Sequence, residues 1–76
     1  MLQNDKNLKL TPRQLQVLAS ISEGLENAEI AEKLGIASNT VKIHVSAIMR
    51  SLGVRNRVEA TLVFLKFKQA VNANIM

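Results

Sequence analysis

Four residues spread over eleven positions constrain this chain more than any other feature in it: Ala31, Gly35, Ile36 and Val41. A small side chain at Ala31 lets a following helix cross closely over it. A glycine four residues later supplies the left-handed backbone that ends a helix cheaply. Ile36 plugs the gap between the two helices. Val41, ten residues after Ala31, returns the chain to the core. Together the four set two helices at the steep angle of a helix-turn-helix unit. The Ala-x-x-x-Gly spacing alone also fits an ordinary helical hairpin, since many helices end in glycine.

The flanking sequence supplies the other elements. Thr11 is a good N-cap, Pro12 suits the first helical position, and Gln14 completes a capping box. Leu10 can staple onto Leu15. Apolar positions then recur at Leu15, Leu18, Ala19 and Ser22, flanked by Val17 and Ile21, up to a stop at Gly24. A second helix starts at Asn27, with Glu29 in its first turn and Ile30, Ala31 and Leu34 inward. The third runs over about 38–52, capped near Ser38, with Val41, Val45, Ile48, Met49 and Leu52 as one stripe ending at Gly53. Asn56, with Glu59 three residues on, caps a fourth helix over about 57–71. No stretch alternates with period two. The predicted fold is all-α: a three-helical core plus a C-terminal helix, spanning 10–71. Residues 1–9 read as a flexible arm or linker, and residues 72–76 as a tail.

Size limits what such a chain can do. With 76 residues and no cysteine, it holds one small core that no disulfide or cysteine-bound metal can brace. That core rests on aliphatic residues plus Phe64 and Phe67. No nucleophile–base pair, metal cluster or glycine-rich phosphate loop stands out, so the reading is not an enzyme, with no cofactor, no metal and no small-molecule ligand. The start has no secretory pattern, and the run Leu62–Leu65 is far too short to span a bilayer. No membrane association and a cytoplasmic location are expected.

Charge is divided along the chain. Residues 1–32 carry three basic and five acidic side chains, net −2. Residues 33–76 carry seven basic and one acidic, net +6. A basic half on a small domain favours a polyanion partner.

The third helix says which polyanion. With its apolar stripe inward, Asn39, Lys42, Ile43, Ser46 and Arg50 face outward. This face has no carboxylate, which suits insertion between phosphates. Its one exposed apolar group, Ile43, suits a thymine methyl. Lys42 can reach guanine O6/N7 or a phosphate; Ile43, Ser46 and Asn39 join it as base contacts. Arg50 reads as a phosphate clamp, and Arg57 is placed with it. Asn27 and Thr40 sit at or near helix N-termini, where free N–H groups attract phosphate; for Asn27 a simple cap is the alternative.

Several stretches of this chain resemble the LuxR/FixJ/GerE-type helix-turn-helix domain. They are Leu10-Thr11-Pro12-Arg13-Gln14, Gly24, Asn27-Ala28-Glu29-Ile30-Ala31, Thr40-Val41-Lys42-Ile43-His44-Val45, and Leu52-Gly53-Val54-Arg55-Asn56-Arg57-Val58-Glu59-Ala60. The resemblance covers about 8–70. It implies a four-helix, sequence-specific double-stranded DNA-binding domain of a bacterial transcription regulator, often behind a phospho-acceptor receiver domain, with RNA polymerase as a possible further partner. Departures are Gln14 for the usual Glu, Ala37 for Ser and Ala47 for a common Asn.

Two features invite other chemistry. His44 has no second histidine or cysteine and no acid at ligand spacing, so a structural, partly buried ring is expected. The four glutamates from Glu23 to Glu32 lack the loop spacing of a calcium site and read as a solvated face.

The fourth helix is apolar on two sides. Ala60, Val63, Phe64, Phe67 and Val71 form an inward stripe. Val58, Leu62 and Leu65, continued by Gln69, form another on roughly the opposite side. That second stripe predicts a weak two-fold homodimer, and the resemblance implies the same pairing. Competing readings are a sigma-factor promoter-binding region, which shares the Leu-Thr-x-Arg opening, and a protein-interaction module with this fold.

Overall fold

Thr11 starts the first helix as a reciprocal cap. Its Oγ1 accepts from the Gln14 N–H at 3.1 Å, and its own N–H donates to Gln14 Oε1 at 3.0 Å. The Gln at position 14 therefore closes the capping box as well as a Glu would. A computed structural model of the protein describes residues 8–75, with side chains described over 8–72. It contains α1 (Pro12–Ser22), α2 (Asn27–Leu34), α3 (Ser38–Leu52) and α4 (Arg57–Ile75). No strand occurs among the described residues, and the fold is all-α.

α1, α2 and α3 all end the same way. After α2, the Gly35 N–H donates to Glu32 O at 3.3 Å and the Ile36 N–H to Ala31 O at 3.0 Å. The same pair of bonds follows α1 through Gly24 and Leu25, and α3 through Gly53 and Val54. This is the Schellman arrangement, which satisfies carbonyls the helix would otherwise leave open. Gly35 carries it at φ +69°, where a side chain would be strained. The residues after the glycines, Leu25, Ile36 and Val54, each pack half-buried against the core. Each helix end is thus also a core contact, and the direction of the next helix is fixed by burial as well as by backbone.

The core is made of Val17, Leu18, Ile21, Ile30, Ala31, Val41, Ile48, Ala60 and Phe64. Val41 and Ile48 of α3 are fully buried, so the third helix is a central element and not an appendage. Phe64 and Phe67 meet with ring centroids 6.2 Å apart, and Lys68 Nζ lies 5.8 Å over the Phe64 ring. Such pairs add modestly to the burial itself.

Four local expectations need correction. The buried face of α1 is Val17, Leu18, Ser20 and Ile21, whereas Leu15 and Ala19 are half-buried at its edge. The apolar pattern in α1 is wider than one stripe, and α3 and α4 select the 17/18/21 side. α2 is capped by Glu26, not Asn27, which is its first helical residue; the Glu26 N–H donates to Glu29 Oε1 at 2.7 Å. α3 begins after Ala37 with no side-chain cap, so Ser38 is helical rather than capping. α4 reaches Ile75, four residues beyond the expected end, because nothing after Val71 breaks a helix. Asn56 does cap α4, accepting from the Glu59 N–H at 2.9 Å. The Glu59 carboxylate reaches past it to Arg55, taking its N–H at 2.8 Å and its guanidinium at 3.3 Å.

Leu8, placed in the arm on sequence, is half-buried against the core. The rest of the expected arm, residues 1–7, and Met76 of the expected tail lie outside the described residues. Among the described residues, no helix is long and apolar enough to cross a membrane.

Candidate nucleic-acid interface

The heptad-like phase of α3 sorts its side chains. At roughly 100° per residue, Val41, Val45, Ile48 and Leu52 fall within about 60° of one another. Asn39, Lys42, Ile43, Ser46 and Arg50 then fall on the far side. In the fold, these five are exposed, while Val41 and Ile48 are buried and Val45 and Leu52 half-buried. The structure therefore brings together the five residues expected on the outer face of α3. The helix is 15 residues long, so the face extends over about 22 Å at 1.5 Å per residue.

That face is basic and free of carboxylates. α3 contains no Asp or Glu, and Lys42 and Arg50 have no ion-pair partner among the described residues. Two other cations are paired: Lys33 with Glu23 at 3.1 Å and Arg55 with Glu59 at 3.3 Å. Glu23, just after α1, and Glu59 of α4 are thus engaged elsewhere, and no glutamate lies on α3. Ile43 is 61% exposed, a large apolar group held in water amid polar neighbours. Thr40, in the first turn of α3, is half-buried, and that turn has no side-chain cap over its N–H groups. His44 is half-buried between the two faces.

Asn27 and Arg57 lie together at another place, where the starts of α2 and α4 meet. Arg57 Nη1 donates to Leu25 O at 3.2 Å, and Arg57 Nη2 donates to Asn27 Oδ1. Both side chains are half-buried. Sequence reasoning placed each on phosphate and missed that they bind each other. Thirty residues separate them, and no local periodicity reports a bond over that distance.

A shallow groove of about 560 Å³ runs beside this contact, lined by Leu25, Asn27, Arg57, Val58 and Thr61 among others. Val58, Leu62 and Leu65 are 69%, 54% and 48% exposed along one side of α4. Such exposure of three spaced aliphatic residues is the pattern expected from the second stripe.

Comparison with known proteins matches residues 8–64 to the family described as bacterial regulatory proteins, luxR family. The nitrate/nitrite response regulator protein NarP of Escherichia coli is 46% identical over 61 residues, 80% of this chain and 28% of its own length. The transcriptional regulatory protein LnrK of Bacillus subtilis is 47% identical over 64 residues, 84% of this chain and 29% of its own. Among solved structures, the response regulator StyR superposes with a TM-score of 0.73 at 43% identity, covering 76% of this chain and 29% of that one. The chain spans less than a third of the length of these relatives. The matched span takes in α1, α2, α3 and the first part of α4, including the turn at Gly35 and the exposed face beyond it. The chain belongs to the LuxR family of bacterial regulatory proteins and is a helix-turn-helix DNA-binding domain of the kind that regulates transcription.

Proposed function

We propose that α3 enters the major groove of double-stranded DNA and reads its sequence there. Lys42, Ile43, Ser46 and Asn39 are the base contacts, and Thr40, Arg50 and the first turn of α2 at Asn27 take backbone phosphates. The observation that carries this reading is the outer face of α3: no carboxylate, two cations without ion-pair partners, and Ile43 held 61% exposed. The uncapped start of α3 supports a phosphate at Thr40, because open N–H groups and the helix dipole both favour an anion.

Two copies bind together, through Val58, Leu62 and Leu65. Their exposure along one side of α4 supports this, since a monomer leaves the three side chains wet. The patch is small, so pairing in the absence of DNA is weak. A two-fold pair of domains then meets two half-sites related by the same axis. In the cell the domain serves as the DNA-binding part of a longer regulator, in the manner of the response regulators it resembles.

Selection of bound duplexes from a random DNA pool tests the proposal. The expected product is a short half-site repeated with two-fold symmetry. Recovery of duplexes with no common sequence would overturn base reading by α3. A single unrepeated site would overturn the paired arrangement.

A further inference from the structure

We propose that Arg57 is a positioning residue of the DNA interface, a latch that holds the first turn of α2 against the first residue of α4. This rests on the DNA-binding reading above and gives Arg57 a different part from a phosphate contact. Three observations carry it. The guanidinium binds two acceptors at once, Leu25 O at 3.2 Å and Asn27 Oδ1, across 32 and 30 residues of sequence. It is half-buried, and both acceptors are neutral, with no carboxylate partner among the described residues. It also stands at the N-terminal end of α2, where the helix dipole disfavours a cation. The guanidinium is held there by its two bonds to neutral oxygens and not by charge pairing. Its planar fork fixes both acceptors in one plane, which a lysine cannot do.

The latch also joins two parts of the functional surface. Arg57 precedes Val58, the first residue of the exposed stripe on α4, and the two line the same groove with Leu25 and Asn27. One end of the bond belongs to the α2 turn that takes a phosphate, and the other to the helix that pairs with its copy. Arg57 therefore ties the start of the one to the start of the other.

The test uses the 76-residue chain with Arg57→Met, Arg57→Lys, Asn27→Ala and the Arg57→Met/Asn27→Ala double variant. Binding is measured on the duplex recovered by the selection, over a series of salt concentrations. Hydrogen exchange is measured on the protein alone. The latch predicts about a tenfold loss of affinity for Arg57→Met, because the first turn of α2 is no longer held in place before binding and must be ordered on the DNA. Arg57→Lys should recover less than half of that loss on a logarithmic scale. The salt slope should stay within about half a unit of the parent, since no phosphate contact is removed. The double variant should bind within about threefold of Arg57→Met, because the Asn27 side chain acts through Arg57 while the phosphate meets the backbone N–H groups of the α2 turn. Exchange should rise at Ile30 and Ala31, the first amides of α2 that are hydrogen-bonded, and stay unchanged at Leu18 and Ile48, a pattern that general destabilisation would not give. Full rescue by lysine with a salt slope reduced by about one in Arg57→Met would overturn the latch in favour of a phosphate contact. Unchanged exchange in α2 would overturn it outright. Exchange needs no DNA, so failure of the parent chain to bind any duplex would sink the DNA reading while leaving the latch separately decided.

Discussion

Replacing Gly35 with alanine isolates the physical cost of the turn on which the interface depends. Gly35 sits at φ +69°, and a Cβ built there meets nothing within 4 Å. No clash enters the sum, so the cost is the backbone term alone. An L-residue with a Cβ is about 1–2 kcal/mol less stable in this conformation than glycine. Alanine restricts the unfolded chain and returns about 0.4–1 kcal/mol of that. The net loss should lie between about 0 and 1.6 kcal/mol, near 0.8 at the centre of both ranges, provided that both closing bonds, Gly35 N–H to Glu32 O and Ile36 N–H to Ala31 O, survive. In a domain of this size, the central value is a fall of about 3–6 °C in Tm. Urea unfolding followed by far-ultraviolet circular dichroism measures it, with an unchanged slope expected if only stability shifts. Gly53 provides an internal control. It has the same φ and the same open surroundings, so Gly53→Ala should lose an amount within a few tenths of a kcal/mol. Gly35→Asn should lose less than Gly35→Ala, since asparagine enters the left-handed region more readily. A Gly35→Ala variant more stable than the parent by about 0.5 kcal/mol or more would refute the left-handed turn, since that is the gain expected where alanine fits without strain. A loss well above 3 kcal/mol would refute the open surroundings.

Two further substitutions examine the binding surface. Lys42→Ala should cost about 1–3 kcal/mol on the selected duplex and blunt discrimination at one base pair; uniform weakening across sequences, with the salt slope lower by about one, would make Lys42 a phosphate contact instead. Leu62→Glu together with Leu65→Glu should leave helical content unchanged, because both residues are about half exposed. Binding to a duplex with two half-sites should then fall far more than binding to one with a single half-site, and equal losses in gel-shift titrations would rule out pairing through α4.

Much of the fold is legible in the sequence because its signals are local. Thr11, Pro12 and Gln14 announce α1 within one turn, and Gly35 and Gly53 mark helix ends where the next apolar residue must turn inward. What the sequence hid is non-local or degenerate. The choice of 17/18/21 over 15/18/19/22 as the buried side of α1 depends on where α3 and α4 lie, and the residues Leu15 to Ser22 fit either. Two acceptable caps compete at the start of α2. Asn27 is the better capping residue by preference, but Glu26-x-x-Glu29 forms the box, and moving the start back one residue frees the Asn27 side chain for Arg57. The same step explains why the Arg57–Asn27 bond was hidden: an arginine near a helix start in a basic half has no local sign of an internal partner.

The exposed face of α3 was legible for a stricter reason. α3 carries two fully buried residues and the candidate reading residues on one helix, so a single phase determines both. A shift of one residue turns the helix by about 100° and would put Lys42 where Val41 is now. Burying a lysine without a partner costs several kcal/mol, more than a small domain can absorb. The hydrophobic stripe therefore excludes every phase but the one that turns Lys42, Ile43 and Ser46 to solvent. In a helix-turn-helix of this size, core packing and presentation of the reading face are one constraint, and a substitution that loosens Val41 or Ile48 should misdirect Lys42 before it unfolds the chain.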